Sequence, residues 1–143
     1  MSGYGKILLV VDLTEDSDLV GERAKAIAAC YGSRIQLLHV VEYVPVEPMG
    51  ETLLPAVQIE EELIERARQR LQELARRLGL GDSDCFVEAG NIKAEIIRVA
   101  EEQQVDLIVL GSRERHGLAI LLNFTEDTVL HHSPCDVLAV RLH

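Results

Sequence analysis

The stretch with most chemistry to offer is Leu110-Gly111-Ser112-Arg113-Glu114-Arg115-His116-Gly117, running on to Asn123-Phe124-Thr125. It follows the apolar run Val105 to Leu110 and opens the apolar-periodic segment that begins at Leu118. A glycine-bearing turn between a strand and a helix is where α/β proteins often hold phosphate. Backbone N–H groups and the positive end of the helix dipole converge there. Arg113, Arg115 and His116 would add cationic groups, whereas Glu114 adds a carboxylate. A second polar feature, Asp12, ends the apolar run Lys6 to Val11.

The other reactive side chains read more quietly. His39 sits inside an apolar run and is expected to be a hydrogen-bonded core histidine. His131 and His132 close a helical pattern, where cations suit the C-terminal dipole, and no third ligand accompanies them for a metal. His116 has no nucleophile signature beside it. Cys30, Cys85 and Cys135 are odd in number and widely spaced, with no metal or redox spacing, so they are expected to be reduced, buried thiols. Neither a catalytic set nor a metal site is predicted.

Composition narrows the classes further. The chain has 143 residues, the size of one domain, and 48% of them are apolar. Only 3% are aromatic, so the core must be mostly aliphatic, as in a parallel sheet covered on both faces. The formal net charge of -10 argues against a general nucleic-acid binder, which needs clustered Lys and Arg. No apolar run reaches the roughly 20 residues of a membrane helix, and no signal-peptide pattern is seen. The expected compartment is the cytoplasm.

These residues need elements to position them. Lys6 to Val11, Arg34 to Val41, Asp84 to Glu88, Val105 to Leu110 and Asp136 to Leu142 read as strands, short and aliphatic. Between them lie helical patterns. The first follows the cap-rich segment Thr14 to Asp18 and carries Val20, Ala24, Ile27, Ala28 and Tyr31 inward, stopping at Gly32. The second, Ala56 to Leu78, has Leu63, Ala67, Leu71, Leu74 and Leu78 as its stripe. Glu62 with Arg66 and Glu73 with Arg77 are expected pairs on its wet face. The third starts at Gly90-Asn91, and the last runs from Leu118 to His131 with Leu118, Leu121, Leu122 and Val129 inward. Glu42 to Pro55, with three prolines and Gly50, is a long loop.

The alternation predicts one α/β domain spanning residues 1–143, a doubly wound five-stranded parallel sheet with helices on both faces. In such sheets ligands bind beyond the carboxyl ends of the strands, where the winding reverses. With strand order 3-2-1-4-5, that point lies between the first and fourth strands, and Asp12 and Gly111 meet there.

The ordered set of pieces resembles the universal stress proteins. Asp12 straight after the first strand, Leu38-His39-Val40-Val41 ending the second, Gly111-Ser112-Arg113, and His131-His132-Ser133-Pro134-Cys135-Asp136-Val137-Leu138-Ala139-Val140 all match, over essentially the whole chain. That family divides into members that bind ATP and members that do not. The binders carry G-x2-G-x(8 or 9)-G-[ST] after the fourth strand. Here Gly111 fills the first position and Glu114 stands at the second. Counting back from Pro134, Asn123 and Phe124 fall on the last two positions; one residue more puts Phe124 and Thr125 there. Neither register restores a glycine.

The departures have physical consequences. Glu114 beside a polyphosphate, at roughly 4–6 Å in a partly desolvated site, is repulsive by on the order of a few kcal/mol. Phe124 puts a ring where the motif has a small hydroxyl. Asn123 is tolerated best, since Asn adopts left-handed backbone. Together these offset much of the roughly 8 kcal/mol in a micromolar nucleotide complex. The resemblance therefore implies a cytoplasmic stress-response protein of the non-nucleotide-binding type, not an enzyme and without a cofactor. It would act as a homodimer through its last strand (Val137, Leu138, Val140, Leu142) and through protein partners. The alternative is an ATP- or AMP-binding sensor using Asp12, Val41, Gly111 and Arg113.

Overall fold

The computed structural model describes residues 3–42, 53–113, 129 and 131–142, with backbone alone at 53–59 and 113. Its elements are β1 (Lys6–Val10), α1 (Ser17–Tyr31), β2 (Arg34–Glu42), α2 (Leu53–Arg77), β3 (Cys85–Gly90), α3 (Ile92–Glu102), β4 (Leu107–Arg113) and β5 (Asp136–Leu142). Val129, His131 and His132 also have helical backbone. The five strands form one sheet in the order β3-β2-β1-β4-β5, every pair parallel. This is the predicted doubly wound order.

Successive side chains of a strand point to opposite faces, so aliphatic strands need cover on both. On one face Ile7, Leu9, Leu37, Leu107 and Val109 pack against Val20 and Ala24 of α1 and Ala67, Leu71 and Leu74 of α2. On the other, Leu8, Leu38, Val40, Ile108 and Leu110 meet Ile96, Val99 and Ala100 of α3, together with Val129.

Several local signals act as expected. Gly32 caps α1 at φ 66°, a left-handed residue that glycine adopts without Cβ strain. Gly79 does the same past α2 at φ 74°. Asn91 caps α3, its side chain accepting a hydrogen bond from the Ala94 N–H at 3.0 Å. Pro55, by contrast, was expected to end the loop before the helix, but α2 already begins at Leu53 and Pro55 is its third residue. First-turn N–H groups have no partner within the helix, so a proline there removes none of its bonds.

Other details differ. Leu63 is 46% exposed, and among the described side chains of α2 the first buried one is Ala67. Arg77 pairs with Asp18 of α1 at 3.0 Å rather than with Glu73, and Arg68 pairs with Glu65. The apolar period showed which face of α2 turns inward, but not that Leu63 on that face stays exposed. Cys30 is exposed and Cys85 and Cys135 are half-buried, so the thiols are less enclosed than predicted.

At Gly21, α1 lies close against Leu78, the residue just past the end of α2. A Cβ built there would stand 2.4 Å from Cδ1 of the buried Leu78 and 3.3 Å from its Cγ. Gly→Ala inside a helix ordinarily gains about 1 kcal/mol. Overpacking a filled core costs about 1–3 kcal/mol. Because three atoms of one enclosed side chain are involved, Gly21→Ala is expected to lower stability by about 1 kcal/mol net. Urea titration reads this directly, and a rise in midpoint would show that the two helices can part.

Candidate functional site

The carboxyl ends of β1, β2 and β4 bring the sequence-predicted positions to one edge of the sheet. β1 and β4 pair through Ile7↔Leu107, Leu8↔Ile108 and Leu9↔Val109. Extending that register two residues sets Val11 level with Gly111. Asp12 therefore leaves β1 beside the point where Gly111 passes in β4. Val41 lies on the neighbouring β2, paired with Ala89 of β3 and packed against the α1/α2 side of the core. The Arg113 backbone closes β4 opposite Leu142. Glu114, His116, Gly117, Asn123, Phe124 and Thr125 lie outside the described residues, as do 43–52 of the predicted loop and Leu118, Leu121 and Leu122 of the last stripe.

Asp12 folds back on its own loop. Its Oδ1 accepts hydrogen bonds from the Thr14 N–H (3.0 Å), the Thr14 hydroxyl (2.7 Å) and the Ser17 hydroxyl (3.3 Å). Carboxylates do this readily two residues ahead, closing an Asx-type turn. Ser17 is buried, so this bond also satisfies a hydroxyl removed from water. The formal N-cap of α1 is Asp16, which makes no side-chain cap bond. Asp12 thus shapes the entry to α1 without occupying the capping position.

The turn expected at Gly111 is not there. β4 continues through Gly111, Ser112 and Arg113, each paired with β5. What requires a glycine is space: a Cβ at 111 would meet Leu142 Cδ1 at 2.7 Å and Val20 Cγ2 at 3.2 Å. Strand alternation turns residue 111 to the face of Leu107 and Val109, where Val20 and Leu142 are buried.

His39 makes the hydrogen bond expected of it, from a half-buried rather than a core position. Its Nδ1 lies 2.8 Å from the Val11 carbonyl oxygen, an acceptor, so the ring nitrogen carries the proton and donates. The bond ties the end of β1 to β2 directly before Asp12.

Sequence reasoning missed one residue of this loop and one that reaches it from α2. Leu13 is buried with φ 63°, and its carbonyl accepts a hydrogen bond from Nη2 of Arg70 on α2. A leucine after a strand carries no signal for left-handed backbone. Arg70 reads in sequence as one of several charges on a wet helix face.

The cysteines lie away from this edge. Burial pushes the Cys85 thiol up from its ordinary value, and the Asp84 charge adds to the shift. Its Sγ donates to the Ser83 carbonyl at 3.7 Å. It lines a groove of about 400 Å³ with Gln72, Arg76, Ser83 and Asp84, beside the C-terminal half of α2. Burial also raises Cys135, against a lowering contribution from the Ser133 hydroxyl. Raised thiols hold little thiolate and react slowly. Among the described residues no group of three or more His, Cys, Asp or Glu side chains converges as a metal site.

The chain matches the sequence profile of the universal stress protein family over residues 3–141. It is 36% identical over 143 residues to universal stress protein A homolog 2 of Coxiella burnetii, covering 99% of this chain and 98% of that protein. Among solved structures, the universal stress protein UspA from Lactobacillus plantarum superposes with a TM-score of 0.74 at 24% identity, covering 99% of this chain and all of that one (100%). A universal stress protein in complex with cAMP superposes with a TM-score of 0.63 at 22% identity, covering 97% and 98%. At these identities the two structures speak for the fold.

Proposed function

The chain belongs to the universal stress protein family, and on that footing we propose that it is a cytoplasmic stress-response protein of the non-nucleotide-binding type, working as a homodimer through protein partners rather than by catalysis. The observation that carries this reading is at Gly111. The one motif glycine that the chain retains has a packing reason to be glycine, since Leu142 and Val20 fill the space a side chain would need. Nothing in that reason calls for phosphate. The engagement of Asp12 with Thr14 and Ser17 supports the same reading, because those bonds account for its place in the loop. The substitutions at the remaining motif positions, Glu114, Asn123 and Phe124, point the same way. Among the described residues no helix is long and apolar enough to cross a membrane.

The cAMP complex of a structural relative favours testing a nucleotide-sensor alternative at the same edge, through Asp12, Val41, Gly111 and Arg113. Titration calorimetry with ATP and magnesium, and separately with AMP and cAMP, separates the readings. The expected result is no saturable heat with a Kd tighter than about 100 μM, a threshold corresponding to roughly 5–6 kcal/mol. A tighter complex with any of them would replace the present reading by the sensor.

A further inference from the structure

The loop from Val11 to Asp16 is held by three elements. β2 fixes its start: the Val11 N–H donates to the Leu38 carbonyl at 3.0 Å, and His39 Nδ1 donates to the Val11 carbonyl at 2.8 Å. Its middle is closed by Asp12 on Thr14 and Ser17. α2 takes hold of Leu13 at two points. The Leu13 side chain is buried in the cluster that contains Ala67, Leu71 and Leu74, and its carbonyl accepts from the Arg70 guanidinium.

That second hold is unusual in two ways. Leu13 sits at φ 63°, a region that a bulky L residue rarely enters and that persists only where surroundings impose it. Arg34, Arg68, Arg77 and Arg98 each pair with carboxylates, in a chain with 24 of them. Arg70 instead gives its hydrogen bond to a neutral backbone oxygen, in the one segment of the loop where the backbone is strained.

We infer that Arg70 is the positioning residue of this loop: by holding the Leu13 carbonyl it keeps residue 13 left-handed and so sets where Asp12 stands at the sheet edge. A left-handed residue turns the peptide that follows it. If Leu13 relaxes to negative φ, the Leu13–Thr14 peptide re-aims and the Thr14 N–H leaves Asp12. A helix on one face of the sheet thereby governs the conformation of the crevice loop. The inference goes beyond the proposed function and holds whether or not the crevice takes a nucleotide.

Amide hydrogen exchange by NMR on the full chain tests it, with Arg70→Met, which keeps the stem and removes the donors, and Arg70→Lys, which keeps a charged donor. In R70M the Thr14 amide is expected to exchange about ten-fold faster or more, the scale of one hydrogen bond from a charged donor. The Leu9 amide in β1 should keep its rate, and R70K should return Thr14 to within about three-fold of the parent. An unchanged Thr14 rate in R70M would overturn the inference. So would equal acceleration at Thr14 and Leu9, which is general loss of stability, or an R70K variant as fast as R70M.

Discussion

Gly111→Ala is expected to destabilise the fold by about 1–3 kcal/mol, the cost of adding a methyl to a filled core. The new Cβ would stand 2.7 Å from Leu142 Cδ1 and 3.2 Å from Val20 Cγ2, and both neighbours are enclosed, at 5% and 3% exposure. Val20 is β-branched on a helix and has little rotamer freedom with which to retreat. Leu142 lies at the end of β5 and gives way more easily, which keeps the cost within that range. A double-mutant cycle identifies the cause. Leu142→Ala alone costs about 2–5 kcal/mol as a core truncation. Added to Gly111→Ala it opens the space the new methyl needs, so the double variant should lie at least about 1 kcal/mol above the additive sum. Denaturant titrations of the four proteins give the answer. Unchanged stability in G111A, or strict additivity, would return Gly111 to the phosphate reading, in which a glycine is needed only when ligand is present.

The sheet was legible because its signal is chemical. Five short aliphatic runs separated by helical periods leave few architectures, and the observed order β3-β2-β1-β4-β5 is the doubly wound one. Caps were legible for the same reason: Gly32 and Asn91 have a local physical task that does not depend on distant contacts. The site was legible only as an address. Asp12 and Gly111 were expected to meet at the winding reversal, and the β1–β4 register, extended two residues, sets Val11 level with Gly111 with Asp12 one residue beyond. Why each residue is there was not legible. Gly111 looked like a turn because glycine after a strand usually signals one, whereas the reason is Leu142, thirty-one residues further on and across a strand pair.

Long-range contacts of this kind also hid the Arg70–Leu13 bond. On a helix with many charges, nothing local distinguishes Arg70, which reaches the β1–α1 loop, from Arg68, which pairs three residues back. Leu63 shows the complementary failure. Its spacing fits the buried stripe, yet it is 46% exposed, so the apolar period of α2 does not by itself mark burial.

The same distinction between pattern and exposure sharpens the proposed dimer. Of the four β5 residues expected to supply an apolar edge, Val140 and Leu142 are buried within the subunit, at 6% and 5% exposure. Val137 is half-buried against the α3 side of the core. Leu138, 37% exposed, is the large apolar side chain that β5 offers outward. β5 pairs with β4 along one side and is an edge of the sheet, and exposed edges invite pairing. In a two-fold interface each residue acts twice, so a carboxylate at 138 would be desolvated in both subunits and repelled by its own copy. Leu138→Glu is therefore expected to weaken self-association by about 100-fold or more, roughly 2.7 kcal/mol. Since residue 138 already meets water, subunit stability should stay within about 0.5 kcal/mol of the parent. Light scattering over a concentration series reads the first quantity and circular dichroism melting the second. A parent chain that is monomeric at micromolar concentration sinks the dimer itself. An L138E variant that remains dimeric moves the interface away from β5.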